Sequence, residues 1–306
     1  MSVLTFGETM ALFDPVADGP PATGKSYSLR FAGAESNFAI GLARLGVSVR
    51  WISRLGDDPI GSLISSTIAA EGVDLAFVIR EEGAGTGAFM KVRDQGRTRV
   101  QYFRRGSAAS HLEIGDVPDG AFDGIKILHL TGITLALSDS AGRLVLDTAR
   151  RARDRGITVT FDPNYRPALW PRAEVARRAQ EPLLPWVDWY FCGEDEARAL
   201  WGSGAAEALD TRIRSGGAGA TAIRLGKRGA LVAGEIVPPP TLVDIRDEVG
   251  AGDAFAAGFV YGLLEGYAFD GCARAGHLIA GYALKGTGDW ETLPRSSDVA
   301  GLLRPS

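Results

Sequence analysis

The stretch "DEVGAGDAFAAGFVYGLL", residues 247–264, sets an aspartate behind a turn of glycine and alanine at the mouth of an apolar run. Phe255, Phe259 and Leu263 recur at four-residue spacing, with Val260 and Leu264 beside them, which predicts a buried helix starting at about Gly252 or Asp253. A helix start presents unpaired amides and a partial positive charge. Gly250, Ala251 and Gly252 put almost no bulk in front of those amides, so the turn can hold an anion while Asp253 brings a carboxylate to the same corner. It is not a dinucleotide fingerprint, because Phe255 occupies the third small-residue position. Aspartate is also among the commonest helix caps, and on this stretch alone that plainer role stays open.

A second stretch advertises phosphate binding more loudly. Residues 19–26, "GPPATGKS", satisfy the G-x-x-x-x-G-K-[ST] pattern letter for letter. That pattern works only where its amides open a helix. Here Ser26 is followed by the alternating "YSLRF", and Pro20 and Pro21 remove two donors, so these residues are expected to form a turn leading into a strand.

Other chemistry is thin. Cys192 and Cys272 stand far apart without a CxxC partner and read as structural thiols; His111, His129 and His277 are scattered and suggest no zinc site. A net charge of -4 argues against a nucleic-acid groove. Neither a signal peptide nor a membrane span is evident, so the expected setting is cytoplasmic, with no membrane partner.

The elements that must carry the 247–264 turn form a rhythm. "VLTFGE", "VRWISRLG", "GIKILHLTG", "ITVTFDPN", "WVDWYFCG" and "ATAIRLG" read as buried strands. Helical patterns such as "ESNFAIGLARLG" and "SAGRLVLDTARRARDRG" lie between them, which predicts an α/β fold with a largely parallel sheet covered on both faces. "TGAFMKVRDQGRTRVQYFRRG" breaks the rhythm as a hairpin turning at Asp94, Gln95 and Gly96, and "SYSLRF" alternates as a further strand. These two segments predict a small antiparallel sheet attached to the body. No clean boundary divides the chain, so a single α/β domain over 1–306 is expected, with a discontinuous lid at about 11–32 and 86–107.

"AGAESNFAIGLARLG", "RLGDDPIG" and "DEVGAGDAFAAGF", in that order over nearly the whole chain, resemble the PfkB family of ribokinase-like carbohydrate kinases. The resemblance implies a three-layer αβα sandwich with a β-sheet lid. It also implies ATP and Mg2+ as cofactors and Asp253 as the base that takes a proton from a sugar hydroxyl. The amides of Ala251, Gly252 and Asp253 would form the anion hole. Within the family, "VQYFRRGSAAS" and "DPNYRPALW" are similar to the substrate segments of 2-keto-3-deoxygluconate kinases. By position, Tyr102, Arg104 and Arg166 would contact an acidic sugar, and Gly33, Ala34 and Asn37 would line its site. Val100, Tyr102 and Arg104 alternate onto one strand face, and arginine suits a carboxylate through paired hydrogen bonds. Surface pairing is the plainer role for both arginines, and helix-start capping is the plainer one for Asn37.

On the nucleotide side the resemblance implies Arg224, Gly226, Gly229 and Gly252 near the phosphates and ribose, with Glu196 acting on magnesium through water. Gly193 stands where the family carries asparagine. His277 occupies a position by the adenine, or is a helix-surface histidine. The expected activity is phosphorylation of a sugar acid. A neutral-sugar kinase of the same family and a non-catalytic sugar-binding regulator are the alternatives. A dimer joined through lid sheets is the expected assembly.

Overall fold

The computed structural model describes residues 1–95, 97–240 and 245–303; Gly96 of the expected hairpin turn lies outside the described residues. The central sheet has eight strands in the order Glu235–Val237, Ala230–Val232, Ala220–Arg224, Trp189–Gly193, Thr158–Asp162, Ile127–Thr131, Val3–Phe6, Val49–Ile52. From Ala220–Arg224 to Val49–Ile52 every pairing is parallel, and only the two pairings that Ala230–Val232 makes at the other edge are antiparallel. "VRWISRLG" divides at Ser53: Val49–Ile52 joins the large sheet, while Arg54–Gly56 pairs with Ile79–Glu81.

Burial on both faces follows from the side-chain period of two along each strand. In Trp189–Gly193, Trp189 and Phe191 enter the core shared with helices Ala34–Arg44, Ala251–Leu264 and Phe269–Leu284. Tyr190 and Cys192 point the other way, into the core shared with helices Asp139–Asp154, Glu194–Trp201 and Ala206–Ser215. The result is three layers, helix on sheet on helix. Helix Ala251–Leu264 is apolar nearly all round. Phe259 lies 4.8 Å from Trp189 and 5.2 Å from Phe191, ring centre to ring centre, fully buried, a burial worth about 1.5–3 kcal/mol. Gly258 lets this helix meet its neighbour Phe269–Leu284: a Cβ there would stand 2.5 Å from the Ala275 carbonyl.

The lid is a separate four-stranded sheet, ordered Tyr27–Ala32, Met10–Pro15, Ala88–Asp94, Arg97–Phe103. The expectation of an antiparallel sheet needs correction. Both outer pairs are antiparallel, but the central pair, Met10–Pro15 with Ala88–Asp94, is parallel. Two hairpins come from distant parts of the chain, and the long excursion between them is free to return in either direction, as a tight turn is not. Asp58 ties that excursion to the lid. It caps helix Pro59–Ala70 through the Gly61 amide at 2.7 Å and also accepts the Thr86 amide at 2.7 Å, just before the lid strand begins. Residues 19–26 form the turn before Tyr27–Ala32, as expected, and no helix follows them.

Candidate active site

Parallel sheets collect chemistry at the carboxyl ends of their strands, where loops leave toward covering helices. Three adjacent strands here end in Asp162, Gly193 and Arg224. Arg224 donates to Asp162 Oδ2 at 3.0 Å and lies 3.8 Å from Glu196 Oε2. Glu196, in the first turn of Glu194–Trp201, also accepts the amides of Tyr165 and, at 3.1 Å, Gly193. Burial, reinforced by the charge of Asp162, pushes the Glu196 carboxyl up to about 7; Arg224 opposes the shift.

Helix Ala251–Leu264 points its start at this cluster, one to two residues earlier than the periodicity predicts. The reason is Gly250. Its φ of 76° is left-handed, and a Cβ would stand 2.2 Å from the Asp289 carbonyl, so only glycine turns the chain into the helix here. Among the described residues the amides of Gly252 and Asp253 make no backbone hydrogen bond, whereas that of Ala251 donates to the Glu248 carbonyl at 3.3 Å. The open part of the expected anion hole is therefore the Gly252–Asp253 pair.

Asp253 is not an N-cap, since Gly250 occupies that position. Its carboxylate instead accepts from Asn37 Nδ2 at 2.9 Å and from Asn164 Nδ2 at 3.1 Å. Burial raises its pKa to about 6, against the pull of the Asn37 hydrogen bond and the nearby Arg166 and Arg224 charges. Such a carboxyl is ionised at neutral pH yet still a competent proton acceptor.

Asp253 opens into a cavity of about 590 Å³ between body and lid. Gly33, Ala34, Asn37, Tyr102, Arg104 and Arg166 all line it. Tyr102 faces Phe89 across the lid strands, ring centres 5.8 Å apart. The Arg104 side chain is 12% exposed, lies 5.7 Å over the Tyr102 ring and forms a buried ion pair with Glu8. Arg166 is exposed at the rim and makes no ion pair among the described residues. Among the described residues, the buried acceptors Asn37 Oδ1, Asn164 Oδ1 and Asp289 Oδ2 in this lining have neither a hydrogen-bond partner nor an ion pair. Unpaired buried acceptors are costly, and a ligand rich in hydroxyl donors would satisfy them.

A second cavity, of about 640 Å³, adjoins the first. Arg224, Gly226, Gly229, Gly252, Ala251 and His277 line it, with Leu225, Ile245 and Phe255 as apolar walls. His277 is half-buried rather than a surface residue: its Nε2 lies 3.1 Å from the Val237 carbonyl, to which it donates, and its ring meets the Phe255 edge at 5.2 Å. Burial lowers its pKa, so the ring is neutral. A Cβ on Gly193 would meet nothing within 4 Å, so the missing asparagine leaves open space. The two cavities share Glu196, Arg224, Glu248 and Gly252, and Asp253 lines only the first.

Sequence reasoning missed Asp162, Asn164, Glu8 and Asp289 as site residues. For Asp162 and Asn164 a signal existed: "DPNYR" directly follows the end of a parallel strand, where such sites form. Glu8 and Asp289 carried none, because each owes its place to tertiary packing.

A parallel sheet with a strand lid, and a carboxylate at the junction of a hydroxyl-seeking cavity and an open helix start, define an enzyme that moves an anionic group onto an alcohol. The pfkB family carbohydrate kinase profile matches residues 1–295, and the chain belongs to that family. It is 36% identical over 309 residues to a 2-dehydro-3-deoxygluconokinase of Bacillus subtilis (strain 168), covering 99% of this chain and 95% of that one. A 2-dehydro-3-deoxygluconokinase of Thermoproteus tenax is 35% identical, covering 99% and 94%. The crystal structure of a PfkB protein from Polaromonas sp. JS666 superposes with a TM-score of 0.89 at 35% identity, covering 98% of this chain and 99% of that one.

Proposed function

We propose that this carbohydrate kinase uses ATP and Mg2+ to phosphorylate a sugar acid, 2-keto-3-deoxygluconate, on its terminal hydroxyl. The observation that carries the reading is the shared wall of the two cavities, with Asp253 on one side and the open amides of the same helix start between them. The site's chemistry fits these partners. The second cavity combines cations, bare glycines and apolar walls, as a nucleotide needs, and Glu196 and Asp162 offer hard oxygen donors suited to hydrated magnesium. When bound, ATP supplies the phosphoryl group and magnesium offsets the charge of its phosphates.

The chain's own residues do the rest. Asp253, held from both sides by Asn37 and Asn164, accepts the proton of the substrate hydroxyl. The amides of Gly252 and Asp253, with Arg224, face the anion on the other side; a donor of this kind is worth about 10² to 10³ in rate. Phe89 and Tyr102 bring the lid over the sugar. Arg104 and Arg166 supply the cationic character that a carboxylate-bearing substrate requires. A second reading, a neutral sugar, has one observation in its favour: Glu8 already offsets the charge of Arg104.

The test is an ADP-release assay across a panel of sugar acids and neutral sugars, with Asp253→Ala as control. Turnover of the sugar acid that disappears in the variant is expected; turnover of neutral sugars alone would sink the assignment.

A further inference from the structure

The lid brings a second cation to the sugar-side cavity beside Arg104. Lys91 belongs to strand Ala88–Asp94, is only 6% exposed, and pairs in register with Val100. Two residues from Phe89, its side chain leaves the strand on the same face as that ring. Lys91, Phe89, Val100 and Tyr102 all line the cavity. Among the described residues the Lys91 ammonium makes no hydrogen bond and no ion pair, although it is more deeply buried than Arg166. Burying such a group without a partner is unfavourable unless something in the cavity supplies one.

The neighbouring carboxylates do not pair with it: Asp14, on the adjacent lid strand, is engaged by Arg93 at 2.6 Å. Glu8 is engaged by Arg104 and by Ser107, whose hydroxyl donates to Glu8 Oε1 at 2.5 Å. Asp289 is the carboxylate whose charge is coupled to Lys91, but it forms no ion pair with it, and burial pushes its carboxyl up to about 7. Of the two lid cations at this cavity, Arg104 is ion-paired within the protein and, among the described residues, Lys91 is not.

We infer that Lys91 is a further specificity-determining residue, a lid cation that joins Arg104 and Arg166 in meeting the carboxylate of a sugar-acid substrate, Arg104 being held by Glu8 beside Tyr102. The inference rests on the sugar-acid reading and deepens it. It explains how the site can favour an acid although Arg104 is already paired.

The experiment compares wild type, Lys91→Met and Lys91→Arg for KM and kcat on 2-keto-3-deoxygluconate and on any neutral sugar the enzyme accepts. Loss of one charge-assisted contact should raise KM for the acid about 10- to 100-fold in Lys91→Met, with kcat and the neutral-sugar KM little changed. Lys91→Arg should retain most of the affinity. Equal losses on acid and neutral sugars, or no loss on the acid, would overturn the inference while leaving the sugar-acid reading intact. A wild type that turns over only neutral sugars would overturn both. Should methionine disturb the lid, calorimetric binding of the acid to Lys91→Gln decides the same question: weakened binding supports the role, and unchanged affinity refutes it.

Discussion

Two glycine-bearing turns in this chain, residues 19–26 and 250–253, invite the same interpretation and have opposite fates. The first matches a phosphate-binding pattern letter for letter, yet it leads into the strand Tyr27–Ala32, and Lys25 turns back on its own loop, donating to the Gly19 and, at 3.3 Å, the Pro20 carbonyls. The second matches no such pattern but opens a buried helix of 14 residues that carries Asp253, beside Arg224 and Glu196. Whether a turn can offer an anion site therefore depends on what it leads into. Aligned, unpaired amides come from a helix start, whereas a strand sends its amides alternately to either side.

The contrast can be broken most forcefully at Asp253. Asp253→Ala should lower kcat by about 10² to 10⁴, the range for a lost general base, in the ADP-release assay. A loss below tenfold would show that the second turn is only a helix start. Gly250→Ala should come next. The left-handed conformation alone costs an alanine about 1–2 kcal/mol, before the contact with the Asp289 carbonyl is counted. A fall in Tm of at least about 3 °C, with reduced activity, is expected by scanning calorimetry. A milder probe is pH. Because burial raises Asp253 to about 6 and the proposed base would work only when ionised, kcat should climb as pH rises through about 6 and level off above it. Glu196 is also raised, to about 7, so the profile should be repeated in Glu196→Gln. A limb that vanishes there belongs to Glu196 and not to Asp253. The smallest effect belongs to the first turn: Lys25→Ala should leave kcat and KM within about twofold, as for an ordinary surface change. A large rise in the KM for ATP would restore the phosphate role denied to residues 19–26.

Much of the frame is legible in the sequence because it is written locally. Strand Thr158–Asp162 and its neighbours follow from short β-branched and apolar runs, and helix Ala251–Leu264 follows from a four-residue apolar repeat. Where local signals run out, legibility ends. The lid strand Met10–Pro15 has no alternation of its own to mark it, and the parallel pairing at the lid's centre depends on how two distant hairpins dock, which no turn residue records. Periodicity sets the start of helix Ala251–Leu264 too late because the left-handed turn at Gly250 is fixed by the Asp289 backbone, far along the chain.

The site divides the same way. Family-like motifs point to Asp253, Asn37, Tyr102, Arg104 and Arg166, and all five line one cavity. They do not reveal that Asn37 reaches across 216 positions to hold Asp253, that Asn164 grips its other oxygen, or that Glu8 claims Arg104. The chain alone determined which segments become strands and helices, and which turn leaves its amides free, since periodicity and glycine act over a few residues. Only the tertiary structure decided which charges are paired and which stand open to a ligand. A side chain's partner and its distance from water are properties of the packed neighbourhood rather than of the residues beside it in sequence.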